Sequence, residues 1–166
     1  IDDRDMEYLD IAIAKTEYLR VLSDAFFEVS YAEAKDEAID IRNIDVARTL
    51  TALVLEQYEW IQESGIQAAF DIPESVVWVQ SNEKVLNRIF TNFFSNARKY
   101  ADTRISVCLQ QDADGVSITF TNDIEADNEI DIDHVLYVVK CLADKLGHVV
   151  SAEVKDKQFS VMLRIK

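Results

Sequence analysis

Leu86-Asn87-Arg88-Ile89-Phe90-Thr91-Asn92-Phe93-Phe94-Ser95-Asn96-Ala97-Arg98-Lys99-Tyr100-Ala101 is the stretch of this 166-residue chain that carries two patterns at once. Leu86, Ile89, Phe90, Phe93, Ala97 and Ala101 recur at helical spacing and form one apolar face. Asn92, Asn96 and Lys99 stand at i, i+4 and i+7 and share another face. Asparagine is a mediocre helix former, so two on one face of a well-patterned helix invite a reason. An amide oxygen can ligate Mg²⁺, an amide NH₂ can hydrogen-bond a phosphate, and a lysine can neutralise phosphate charge. Read by periodicity alone, the same pattern is also that of a plain solvated face.

Upstream, residues 4–37 read as one long helix, with no Gly or Pro before Ser64. Leu9, Ile13, Leu19, Leu22, Phe26 and Val29 form one apolar track, and Tyr8, Ile11, Tyr18 and Ala25 a second. Two adjacent tracks make the wide stripe of a bundle helix with more than one neighbour. Twelve acids against four bases in residues 1–40 are read as a solvated face. Asn43-Ile44-Asp45 reads as a helix start with Asp45 as N-cap, and Gly65 as the stop. Gln67–Ile72 and Val76–Gln80 read as short strands separated by Pro73. Ser81 or Asn82 caps the quoted helix. Ile105–Gln110 and Val116–Thr121 form a hairpin. Residues 122–134 hold six acids and no base. Val135–Leu146 is helical and ends at Gly147, and Val149–Val154 with Phe159–Ile165 forms a last hairpin. This order predicts an α+β fold: a two-layer sandwich of a mixed, largely antiparallel sheet against helices, preceded by the long bundle helix. The boundary falls near residues 38–44.

Composition narrows the function. The formal charge is −14, and the bases are scattered, which argues against nucleic acid. No apolar run reaches the roughly 20 residues that span a bilayer. Cys108 and Cys141 are too few for a disulfide framework and read as reduced thiols. His134 and His148, the only histidines, have no zinc spacing and suggest no catalytic triad. The chain has three glycines, far apart, and one proline, where average usage would give about 12 and about 8. No P-loop or Gly-rich dinucleotide turn can be built from them.

The residues Asn92 to Ala101 (N-F-F-S-N-A-R-K-Y-A) resemble the N-box of sensor histidine kinases, N-L-L-x-N-A-x-K-Y-T/S, with Arg88-Ile89-Phe90 matching the preceding R-V/I-L. That box belongs to the GHKL, or Bergerat, ATP-binding fold. The likeness extends outward. Glu17–Leu22 and Phe26–Ser30 look like the second helix of the family's dimerisation and phosphotransfer hairpin. Val116–Asn122 resembles the strand leading to the G1 box, and Tyr137–His148 the helix after the G2 box.

The resemblance implies that residues 1–40 are that hairpin helix and 41–166 the ATP-binding catalytic domain. It implies ATP and Mg²⁺ as ligands, with Asn96 as the Mg²⁺–phosphate ligand and Asn92 facing the nucleotide beside it. Lys99 and Tyr100 would contact phosphates and the nucleotide edge. Asn122 falls where the family carries its adenine-reading Asp. The implied reaction transfers the γ-phosphoryl group of ATP to a histidine expected upstream of Ile1, and thence to a response-regulator receiver domain. No residue of this chain is assigned a catalytic role. A cytoplasmic homodimer, paired through the N-terminal helix and tied to a membrane only through segments outside this chain, completes the expectation.

Three features depart from the family pattern. The phosphoacceptor motif is absent, and Asn122-Asp123-Ile124-Glu125 stands where D-x-G-x-G is expected. Between Val135 and Leu136 the F-box, ATP lid and G-x-G-L-G-L turn are missing. Three explanations compete: a disordered lid omitted from the chain, a lid removed by design, and a lid lost in a degenerate member that no longer binds ATP. The first two are preferred, because both flanks stay family-like to the junction. A normal peptide bond between Val135 and Leu136 would exclude the first. The competing function is a degenerate, non-catalytic kinase-like module that dimerises and regulates a partner.

Overall fold

The computed structural model describes residues 2–34 and 39–166, in two compact units divided after Ala38. The predicted end of the first helix, residues 35–37, lies outside the described residues.

Among its described residues, the first unit holds one helix, α1 (Asp3–Ala34). Asp2 accepts a hydrogen bond from the Arg4 amide, and Asp3 and Asp5 place negative charge at the positive end of the helix dipole. Its apolar side chains are spread around the helix rather than gathered on one narrow face. Tyr8, Leu9, Ile13, Leu19 and Phe26 are all exposed. The Ala25 and Val29 side chains, members of the predicted tracks, lie outside the described residues.

The second unit holds β1 (Arg42–Asp45), α2 (Val46–Glu56), α3 (Tyr58–Ser64), β2 (Gln67–Asp71), β3 (Trp78–Ser81), α4 (Glu83–Tyr100), β4 (Arg104–Asp112), β5 (Gly115–Asp123), α5 (Ile132–Lys145), β6 (Val149–Lys155) and β7 (Gln158–Ile165). Five strands form one sheet in the order β2-β4-β5-β7-β6. Only β2 and β4 run parallel; the other pairs are antiparallel. The α+β sandwich expected from the sequence is therefore present.

Strict alternation builds the sheet. Ile105, Val107 and Leu109 on β4 are buried, as are Val116, Ile118 and Phe120 on β5 and Phe159, Val161, Leu163 and Ile165 on β7. Helix α4 packs over β5, with α2 and α5 on its flanks and α5 over β6. Phe120 is the centre of this contact: its ring lies 6.3, 5.2 and 4.9 Å from those of Phe90, Phe93 and Phe94. The last two approaches are edge-on, the arrangement that aromatic quadrupoles favour.

Turn chemistry sets the register. Asp156 and Lys157 both take positive φ (50° and 59°), closing the β6–β7 hairpin with the left-handed pair that two-residue hairpins need. Gly115 is required at the start of β5, because a Cβ there would lie 2.2 Å from the Ile165 carbonyl oxygen.

Several expectations are corrected. Residues 46–64 are two helices, not one, broken at Gln57. The residues Asn43-Ile44-Asp45, read as a helix start, form β1, although Asp45 does cap α2 by accepting from the Arg48 amide. The strands on either side of Pro73 belong to different sheets, since β3 pairs with β1. Helix α5 begins at Ile132 rather than Val135, behind its N-cap Asp131. Val135 and Leu136 are consecutive residues inside α5, and the Val135 amide bonds to the Asp131 carbonyl at 3.0 Å. The two residues thus lie in one helical turn of α5, with no loop between them.

His148 ties the two sheets together. Its Nε2 shares a 2.8 Å hydrogen bond with the Ser81 hydroxyl at the end of β3, and both residues are buried. Burial pushes the imidazole below its ordinary 6.5, with a smaller opposing contribution from the Gly147 backbone.

Two measurements test this architecture. Phe120→Ala should cost about 3–5 kcal/mol in urea denaturation, the range for emptying a packed aromatic site. Because the folded imidazole is harder to protonate than the unfolded one, its contribution to stability is full above pH 6.5 and declines as pH falls from there. His148→Gln should flatten the fall in stability below pH 6.5 relative to the native chain; an unchanged slope would exclude the coupling.

Candidate functional site

Helix α4 is the platform on which the predicted residues stand. Asn82 opens it by accepting from the Val85 amide at 3.0 Å, while its own NH₂ donates to the Asp40 carbonyl. Leu86, Ile89, Phe90, Phe93, Phe94 and Ala97 are buried against the sheet. That anchorage fixes the helix rotation and leaves Asn92, Asn96, Lys99 and Tyr100 along one flank. Arg98 and Lys99 close the helix at its negative dipole end. Arg98 also lies over the Trp60 ring of α3 at 4.9 Å.

The two asparagines are in direct contact. Asn96 Nδ2 donates to Asn92 Oδ1 at 3.1 Å, and both side chains are half-buried. This single bond gives each amide a defined sense. It leaves the Asn96 Oδ1 as an acceptor and the Asn92 NH₂ with donor capacity beyond Asn96. One turn on, the exposed Lys99 ammonium sits 5.0 Å from the Tyr100 ring, a cation–π contact. The flank thus offers a neutral oxygen, amide donors and a cation in sequence along about two helical turns.

Asn122 stands apart on β5, in the inward-facing row of Val116, Ile118 and Phe120. It is 4% exposed, an uncommon position for an amide unless it is hydrogen-bonded. Its Nδ2 donates to the Asp123 carbonyl at 2.8 Å, which turns Oδ1 away from that carbonyl. The register sets Asn122 opposite Ile105 on β4, and Ile105 packs in one cluster with Ala97 of α4.

Asp123 is the residue that sequence reasoning missed. Its Oδ1 accepts from the amides of Thr103 (2.9 Å) and Arg104 (2.8 Å), and its Oδ2 from the Thr103 hydroxyl. Its backbone carbonyl accepts from Asp102 N at 3.2 Å as well as from Asn122. Burial pushes the Asp123 carboxyl up, but the bonds from Thr103, Arg104 and Asp102 outweigh it and hold the group below the usual carboxylate range. In sequence it is one acid among the six of residues 122–134.

Other chemistry is poorly served. Burial and the neighbouring Asp71 push the Cys108 thiol up, away from the reactive thiolate. Among the described residues, no three His, Cys, Asp or Glu side chains are grouped to hold a metal, and no helix is long and apolar enough to cross a membrane. An open groove of about 670 Å³ lies between α2 and the segment after β2, lined by Ala52, Leu55, Phe70 and Pro73 among others, but by none of the predicted site residues.

No protein-family model matches the chain. It is 29% identical over 176 positions to the sensor histidine kinase YcbM of Bacillus subtilis (strain 168), a match covering 90% of this chain and 57% of the relative. The chain thus spans little more than half the length of that relative. The matched stretch is also longer than this whole chain, so YcbM carries residues with no counterpart here. Among solved structures, the Acinetobacter baumannii histidine kinase AdeS superposes with a TM-score of 0.73 at 11% identity, covering 100% of this chain and 85% of that one. The catalytic domain of histidine kinase ThkA superposes with a TM-score of 0.67 at 12% identity, covering 76% of this chain and 95% of that one.

Proposed function

We propose that this chain, a homologue of sensor histidine kinases with the fold of their catalytic domains, is the ATP-binding catalytic portion of such a kinase. The observation that carries the reading is the Asn92–Asn96 hydrogen bond on α4, with Lys99 following on the same flank. Residues 41–166 form the nucleotide-binding part in this reading. Residues 1–40 are the second helix of a dimerisation and phosphotransfer hairpin.

The donor set suits Mg²⁺-nucleotide. Mg²⁺ is a hard cation that keeps several waters and is commonly held by one or two protein oxygens together with substrate phosphates. Asn96 Oδ1, oriented by the bond to Asn92, is such an oxygen. When bound, the ion would be held by Asn96 Oδ1 and would supply positive charge to offset that of the phosphates during phosphoryl transfer. The Asn92 NH₂ donates to a phosphate oxygen, and Lys99 supplies positive charge on the same flank. Tyr100 holds the Lys99 ammonium from below and lines the nucleotide edge. Asn122 Oδ1, aimed away from the Asp123 carbonyl, accepts from the exocyclic amine of adenine.

The acceptor of the γ-phosphoryl group is a histidine from outside these residues. His148 is buried against Ser81 and has no route to a phosphate. Relay to an aspartate of a receiver domain follows, in the cytoplasm. Dimerisation through α1 is consistent with the apolar side chains that helix exposes on several sides.

Calorimetric titration with MgADP and MgATP tests the nucleotide reading. The chain should bind both, and Asn96→Asp should weaken binding by at least about tenfold, since a second negative charge faces the phosphates. Absence of binding by the unmodified chain would leave the non-catalytic module as the surviving function; equal affinity for the variant would remove Asn96 from the site. Light scattering on a protein that joins α1 to the hairpin helix expected before it should give a dimer. Replacing Leu9 and Ile13 with Asp should yield monomers, whereas a monomeric parent would refute the pairing.

A further inference from the structure

Three elements that carry the proposed site meet at one corner. The C-terminal end of α4 bears Lys99 and Tyr100, the start of β4 bears Arg104, and the end of β5 bears Asn122. The link between α4 and β4 is very short: Ala101, Asp102 and Thr103 alone. Left to itself, such a link would leave its amides to water, and α4 could shift along the sheet at its polar end. The apolar grip of Phe90, Phe93 and Phe94 on Phe120 acts further back along the helix.

We infer that Asp123 is a positioning residue for nucleotide recognition, a latch that sets Asn122 and the end of α4 in one fixed relation. The inference rests on the nucleotide-binding reading above. Four hydrogen bonds to Asp123 come from the link and the start of β4: the Asp102 amide to its carbonyl, and the Thr103 amide, Thr103 hydroxyl and Arg104 amide to its carboxylate. The same carbonyl receives the Asn122 NH₂ at 2.8 Å. Asn122 therefore presents its oxygen in the sense set by a carbonyl that the α4–β4 link also holds. An amide that must tell an acceptor-seeking amine from a carbonyl depends on that sense, because a flipped amide offers a donor instead.

Asp123 touches no nucleotide in this arrangement; it acts through Asn122 and α4. Its effect belongs in base discrimination as much as in affinity. The geometry also names the conservative replacement. Both backbone amides bond Oδ1, and Oδ2 meets only a hydroxyl, which can donate or accept. An asparagine can keep the first oxygen and turn its NH₂ to the Thr103 hydroxyl.

The test compares Asp123→Ala and Asp123→Asn in the full chain by calorimetry with MgADP and MgGDP, with urea denaturation measured alongside. Asp123→Ala should lose about tenfold in MgADP affinity and narrow the MgADP-over-MgGDP ratio by a similar factor, the scale on which a misplaced polar group weakens recognition. Asp123→Asn should restore both to within about threefold. Thr103→Val, which removes only the hydroxyl, keeps the question open to measurement if Asp123→Ala does not fold, and should cause a smaller narrowing of the same ratio. An unchanged ratio in the variants that fold would overturn the latch. So would a loss in Asp123→Ala confined to stability, with affinity unchanged in the folded fraction. An unmodified chain that binds neither nucleotide would overturn the underlying nucleotide reading itself, which separates the two failures.

Discussion

The contact between Phe120 and the three phenylalanines of α4 is the constraint on which the second unit depends. Phe90, Phe93 and Phe94 converge on one ring in the central row of the sheet, at centroid distances of 4.9–6.3 Å. Aromatic side chains bring large apolar area with few torsions to order, so their packing fixes a helix more sharply than aliphatic contacts of equal area. With α4 rotated to satisfy Phe120, the flank holding Asn92, Asn96 and Lys99 has one available direction. The polar chemistry of the site follows from an apolar decision made two residues away.

A second level of order lies at the helix end. The phenylalanine contact sets how α4 rotates, while the Asp123 bonds set where it stops. These are distinct physical jobs. Burial of rings is strong and non-directional, whereas hydrogen bonds to a carboxylate are directional and sensitive to a fraction of an ångström. The proposed site, with one asparagine on a strand and two on a helix, would draw on both kinds of control.

The fusion of residues around Val135 and Leu136 bears on the glycine shortage. Both residues are buried inside α5, with one continuous run of backbone hydrogen bonds behind Asp131. The sequence match to YcbM spans more positions than this chain possesses, so residues present in that relative are absent here. By the resemblance, glycines of the G1 box and the G2 turn are among those this three-glycine chain lacks. Helix α5 packs over β6 and beside α4 at this point of the chain. The residues proposed for the site lie on α4 and at the end of β5.

Much of this was legible locally. The apolar period of residues 86–101, the cap Asp45, the stop at Gly65 and the two hairpins are signals carried within a few residues of where they act, and the sequence alone determined them; the cap of α4 was narrowed to Ser81 or Asn82, and the structure selects Asn82. The asparagines at i and i+4 were bound to be neighbours once the helix was known. The break at Gln57 was not legible, because Val54 to Ile61 keeps helical spacing across it. Nor was β1, whose last three residues read equally well as a helix start ending in its cap. The pairing of β1 with β3, the parallel placement of β2 beside β4, and the bonds from Thr103 and Arg104 to Asp123 were decided only by tertiary structure. Their partners lie some 20 to 40 residues apart along the chain. Periodicity states which face of an element is apolar, but not which distant backbone will satisfy its amides.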